Sequence, residues 1–147
     1  MTTTDQTTQP SRDGRSMDIR ITSFGHLHGP RPDDAHIVLD LRRHFRDPHW
    51  DRELRQLTAR DRRVIRAVLG TPGIRQLLAA TVAQAQAYAC GPSAGQHTLS
   101  IAVGCSGGRH RAGVTAYVLA RRLRRRGHQV ALVHRDLHLP VVERTPA

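Results

Sequence analysis

Apolar positions along the chain follow two periods, and the period changes where glycine, proline or aspartate interrupts it. Residues 17–24 alternate enough for a strand, and Ile37-Val38-Leu39-Asp40-Leu41 is a short apolar run of the kind a buried strand shows. The stretch 25–34 between them, with Gly29-Pro30 and Pro32, reads as a loop. Residues 43–58 offer few core positions and hold Asp47-Pro48-His49-Trp50-Asp51, the composition of a functional loop rather than a scaffold element. Helical spacing follows. Residues 61–69 begin a helix with an acidic first turn, and Thr71-Pro72 opens another, with threonine expected as its N-cap and proline as its first residue. In that helix Ile74, Leu77, Leu78, Thr81, Val82, Ala85 and Tyr88 keep to one stripe until Gly91-Pro92 stops it. Residues 99–103 and 129–133 read as strands, joined by a helix on which Val114, Tyr117, Val118, Leu119 and Leu123 recur. Such a crossover is right-handed and sets its two strands parallel. The expected architecture is α/β: a small open, mostly parallel sheet with flanking helices, which binds ligands outside the carboxyl ends of its strands.

Residues 1–16 are polar and lack apolar periodicity, so the expected organisation is a disordered leader at 1–16, a folded domain at 17–138 and a flexible tail at 139–147. A chain of 147 residues with 38% hydrophobic content suits one domain with a real core. No run of 18 apolar residues and no charged-then-apolar leader is present, which points to a cytoplasmic protein without a membrane partner. Cys90 and Cys105, the two cysteines, fit a reducing compartment better than a disulfide framework.

All 23 basic residues are arginine, and the formal net charge is +11. Position matters more than the total. From Gly95 onward nine arginines face only Asp136 and Glu143 among the acids. Arg121, Arg122, Arg124, Arg125 and Arg126 crowd the last turns of the 111–125 helical pattern, where cations complement the helix dipole. They read equally as a solvated helix end and as a candidate RNA contact.

The most chemically telling stretch is 99–113, in which an apolar strand runs through Gly104-Cys105-Ser106-Gly107-Gly108-Arg109-His110-Arg111 into a helix. A strand–glycine loop–helix turn presents backbone N–H groups at a helix N-terminus, a ready anion site. Arginine there opposes the helix dipole at a cost of about 0.3–1 kcal/mol, so Arg109 and Arg111 make sense with an anion between them, phosphate above all. Three other readings compete. Cys105, Gly108 and Arg111 satisfy the C-x5-R loop of a cysteine-dependent phosphatase, with a low-pKa thiolate as nucleophile, but Ala112 replaces the hydroxyl expected after the arginine and Gly104 the histidine expected before the cysteine. A nucleotide P-loop is weaker, because Val114 stands at its lysine position. The simplest reading is a tight turn that needs glycine and carries surface arginines. His26 and His28, with His36 nearby in sequence, could be read as metal ligands, yet a His-x-His pair alone lacks a defined third ligand, and no metal or other cofactor is expected.

Several separated motifs in one order carry a resemblance: Ser23-Phe24-Gly25, Gly29 followed by proline, Val38-Leu39-Asp40-Leu41-Arg42, Asp47-Pro48-His49-Trp50-Asp51, Leu57-Thr58, the 104–111 loop and His134-Arg135-Asp136-Leu137. Together, from about residue 18 to residue 137, they resemble the C-terminal domain of the RapZ family of RNase adapter proteins. That resemblance implies a non-catalytic regulatory domain that binds glucosamine-6-phosphate and small RNA, meets a partner protein and assembles into homo-oligomers. It implies a ligand pocket formed by His49, Cys105, Ser106, Gly107, Gly108, His110 and Arg111. Ala112 departs from the family's serine, and the ending Leu137-His138-Leu139-Pro140-Val141-Val142-Glu143-Arg144-Thr145-Pro146-Ala147 departs from the basic tail of enterobacterial members. The family's usual N-terminal nucleotide-binding domain has no counterpart in these residues.

Overall fold

In a computed structural model that describes residues 16–142, the apolar runs become four strands and the 3.6-residue patterns become three helices. The strands are β1 (Asp18–Gly25), β2 (Ile37–Asp40), β3 (Leu99–Cys105) and β4 (Gln129–His134). The helices are α1 (Arg62–Leu69), α2 (Ile74–Ala89) and α3 (Arg111–Arg125), with single 3-10 turns at His26–His28, Pro48–Trp50 and Ala94–Gln96. The expected leader, apart from Ser16, and the last five residues of the expected tail lie outside the described residues.

One parallel sheet of order β2-β3-β1-β4 results, an α/β fold. β3 is buried at every position and reads as an unbroken apolar run, while the edge strand β4 alternates between exposed and half-buried. Helix α3 joins β3 to β4, and β1 lies between those two strands, with Gly25 paired to Cys105 and Ser23 to His134. Ile19 and Ile21 of β1 and Ile101 and Val103 of β3 share a core with Val114, Leu119 and Leu123 of α3. Val64 and Val68 of α1 and Ile74, Leu78, Val82, Ala85 and Ala89 of α2 complete it, and both helices pack on α3.

The start of α2 differs from expectation. Thr71 does not cap it; its hydroxyl donates to the carbonyl of Ala67 (3.0 Å) and so closes the end of α1. The N-cap is Gly73 at φ +93°, a left-handed conformation open to glycine, because the Thr71 side chain is already committed to the end of α1. Tyr88 also leaves the predicted stripe and is 42% exposed, its place taken by the buried Ala89. At α1 the acidic residue stands one position earlier than the helix itself: Asp61 is the N-cap and accepts from the N–H of Arg63 (2.8 Å). No helix among the described residues is long and apolar enough to cross a membrane.

Candidate functional site

At the carboxyl end of β3 the chain turns through residues 106–110 before α3 begins, and close backbone contact with β1 shapes that turn. Gly108 has φ +76°, and a Cβ there would lie 2.8 Å from the backbone nitrogen of Gly25. Its N–H donates to the Cys105 sulfur at 3.3 Å, curling the loop back on the strand. The Gly25 N–H donates in turn to Asp136 Oδ2 (2.8 Å), so the segment after β4 locks the same corner. Among the described residues the N–H groups of Gly107, Arg109 and His110 donate to no protein acceptor, which leaves three backbone donors at the N-terminus of a fifteen-residue helix.

Arg111 is the first residue of α3, and its side chain is 2% exposed. Nη1 donates to the carbonyls of Leu41 (2.9 Å), Arg42 (3.0 Å) and Phe45 (3.1 Å), and Nη2 to Asp47 Oδ2 (3.1 Å) and Ser106 Oγ (3.3 Å). The arginine therefore braces the loop after β2 against the glycine loop, with Asp47 as its internal counter-anion. Asp47 Oδ1 also accepts the N–H of His49 (2.9 Å), which starts the Pro48–Trp50 turn. The neighbouring Arg109 bridges elsewhere: Nη2 donates to the carbonyl of Gln56 and Nη1 to that of Leu139, both at 2.8 Å. The Nε groups of Arg109 and Arg111 are buried and carry no hydrogen bond among the described residues.

Cys105 is buried, and burial pushes its thiol up, against the opposing pull of the Ala112 N–H, the Arg111 charge and the Gly108 N–H. A raised thiol is a poor nucleophile near neutral pH. His110 is buried as well and held below its ordinary 6.5 chiefly by desolvation; its Nε2 contacts the Leu57 carbonyl at 2.8 Å, the geometry of a neutral ring donating its one N–H.

These side chains surround one small cavity of about 20 Å³, lined by Leu27, Asp47, His49, Cys105, Gly107, Arg109, His110, Arg111, Val141 and Val142. Five of the sequence-predicted residues thus meet there: His49, Cys105, Gly107, His110 and Arg111. Ser106 touches the site through Arg111, and Gly108 shapes it from behind. Asp47 was legible only as part of a motif, while Leu27, Val141 and Val142 carried no signal, since an isolated apolar residue in a loop has no period to read.

The arginine cluster lies apart, about 21 Å along α3 from Arg111 by helical rise. Arg122, Arg125 and Arg126 line a groove of about 260 Å³ against Ala79 and Val82 of α2. Arg124 is turned to the Val130 carbonyl (2.8 Å) and Arg121 to the Tyr117 ring (5.9 Å), so the five do not face one way.

Comparison with known proteins bears on this geometry. The family described as RapZ C-terminal domain matches residues 17–138. A protein of Thermobifida fusca named nucleotide-binding protein is 41% identical over 118 residues, which cover 80% of this chain and 40% of that protein. A nucleotide-binding protein of Rhodospirillum centenum is 42% identical over 127 residues, covering 83% of this chain and 36% of its own length. One from Streptomyces coelicolor is 37% identical over 118 residues, covering 80% and 39%. The chain spans about two fifths of the length of these relatives.

Proposed function

Since this chain belongs to the RapZ C-terminal domain family, we propose that it is a non-catalytic regulatory domain whose cleft recognises a phosphorylated amino sugar of the glucosamine-6-phosphate class. One observation carries the reading: among the described residues the N–H groups of Gly107, Arg109 and His110, at a helix N-terminus, and the Nε groups of Arg109 and Arg111 have no protein acceptor. Donors that are kept unsatisfied while their neighbours are fully bonded suit an anion with several acceptor oxygens, as a phosphate monoester has. His49, half-buried in the lining of the same cavity, is the candidate contact for the sugar.

Binding without turnover fits the same groups. A phosphatase of the C-x5-R type needs a thiolate and an arginine whose Nη groups grip equatorial oxygens. Here the thiol is raised, and both Nη groups of Arg111 are committed to four main-chain or side-chain oxygens of residues 41–47 and to Ser106. On this reading the domain acts in the cytoplasm as a homo-oligomeric adapter, with a protein and a small RNA as partners. The Arg122–Arg125–Arg126 groove is the surface that supports RNA, through phosphate contacts that salt should weaken.

Isothermal titration tests the proposal. Glucosamine-6-phosphate should bind saturably and glucosamine should not; equal binding of the two, or none of either, removes the sugar-phosphate reading. Release of phosphate from an aryl phosphate that disappears in Cys105→Ser would put the phosphatase in its place.

A further inference from the structure

The cleft as it stands is too small for the ligand its donors suit. About 20 Å³ holds roughly one water, whereas pockets for small ligands measure about 300–1,000 Å³. A sugar phosphate enters only if a wall moves. Most walls are held at several points. The glycine loop is packed backbone to backbone on Gly25, residues 41–47 are pinned by Arg111, the 48–50 turn is tied by Asp47 and by Arg55 Nε donating to the His49 carbonyl (3.1 Å), and the Leu27 N–H donates to the Ser106 carbonyl (3.0 Å). The remaining wall is the segment after Leu137. Leu137 is fully buried and ends the core. Beyond it the segment is fastened by two bonds, the Leu139 N–H to the Asp136 carbonyl (3.1 Å) and Arg109 Nη1 to the Leu139 carbonyl. Among the described residues Pro140, Val141 and Val142 make no hydrogen bond, and two apolar side chains, Val141 and Val142, are what they lay against a ring of polar donors.

We infer that residues 139–142 form a strap that closes this cleft and must lift before an anionic ligand enters, with Arg109 as its latch. The identity of the ligand rests on the sugar-phosphate reading; the strap rests on the cavity and its lining. Two valines over unsatisfied N–H groups make a poor permanent partner, since those groups gain no acceptor from them. The latch also belongs to the site. Arg109 lines the cleft and holds the strap through one Nη, while its backbone N–H and Nε have no partner among the described residues, so an anion that engages Arg109 competes with the strap for the same residue. Ligand affinity is then lowered by the fraction of molecules whose strap is closed.

The reporter is Cys105, which lines the closed cavity and is buried. In a Cys90→Ser background, iodoacetamide alkylation of the full chain is compared at one pH with a chain ending at His138 and with Val141→Ser/Val142→Ser, which keeps the chain length and spares the first variant's fold from being the only test. Both variants should label Cys105 about tenfold faster or more and bind glucosamine-6-phosphate correspondingly tighter, by the arithmetic of a binding-competent fraction. Equal labelling rates in the full chain and in folded variants overturn the strap. Faster labelling with no glucosamine-6-phosphate bound by any of the chains upholds the strap and removes the ligand reading instead.

Discussion

A guanidinium at 2% exposure has to have its charge met inside the protein, and Arg111 meets it with Asp47 and with three carbonyls that residues 41–45 would otherwise leave short of donors. Removing one partner strands the other. Arg111→Ala and Asp47→Ala should each cost about 3–5 kcal/mol in urea unfolding, with the double variant costing clearly less than the sum, because a lone buried charge is worse than none. Arg111→Lys should recover only part of the loss, since an ammonium cannot span acceptors on both sides of the cleft. If Arg111→Ala unfolds at the parent's urea concentration, the brace assigned here is wrong. The sequence shows Arg111 as a loop arginine in need of an anionic partner. It does not show that the nearest anion is Asp47, sixty-four positions away.

At the scale of elements, two glycines take the left-handed conformation in turns that lead into helices. Gly73 at φ +93° caps α2, and a Cβ there would meet the Phe45 ring at 3.1 Å. Gly108 at φ +76° folds the glycine loop against β1, where a Cβ would meet the backbone of Gly25. A side chain forced into the left-handed region costs about 1–2 kcal/mol by itself. Gly73→Ala should therefore lower stability by about that much, a ring being able to yield a little. Gly108→Ala should cost more and weaken ligand binding as well, because the obstacle is main chain; titration calorimetry beside thermal melting separates the two effects. Glycine at 108 was legible from the strand-to-helix turn. Glycine at 73 was not, because Thr71-Pro72 offers a complete helix start, and only the folded chain commits the Thr71 hydroxyl to the Ala67 carbonyl instead.

Across the whole molecule four histidines share one electrostatic sign. His26, His110, His128 and His134 are all held below the ordinary 6.5, burial being the largest cause in each. The unfolded chain thus takes up protons below 6.5 that the folded chain refuses until its own lower pKa values are reached. Stability from these groups is complete above about pH 7 and is lost as pH falls through 6.5. For the buried His110 and His128 the slope approaches about 1.4 kcal/mol per pH unit each at most. His128 shows the structural reason: its Nδ1 accepts the N–H of Met17 at 3.1 Å, and its Nε2 meets Gln86 Oε1, so a second ring proton would break the tie at the start of β1. Melting temperature should fall between pH 7 and pH 5.5, and His128→Gln should flatten that fall; a flat profile in the parent would remove the assignment.

Local pattern alone determined the four strands, the three helices, the parallel setting of β3 and β4 and the strand–glycine loop–helix turn at 104–111, since period, turn residues and crossover handedness act over a few dozen residues at most. Tertiary structure decided what joins parts distant in sequence. It put β1 between β3 and β4, made Gly73 rather than Thr71 the cap of α2, gave Arg111 an internal carboxylate and laid Val141 and Val142 over the cleft. Each of these is a choice of partner, and a partner is selected by shape and charge once the chain has closed on itself, which no window of the sequence contains.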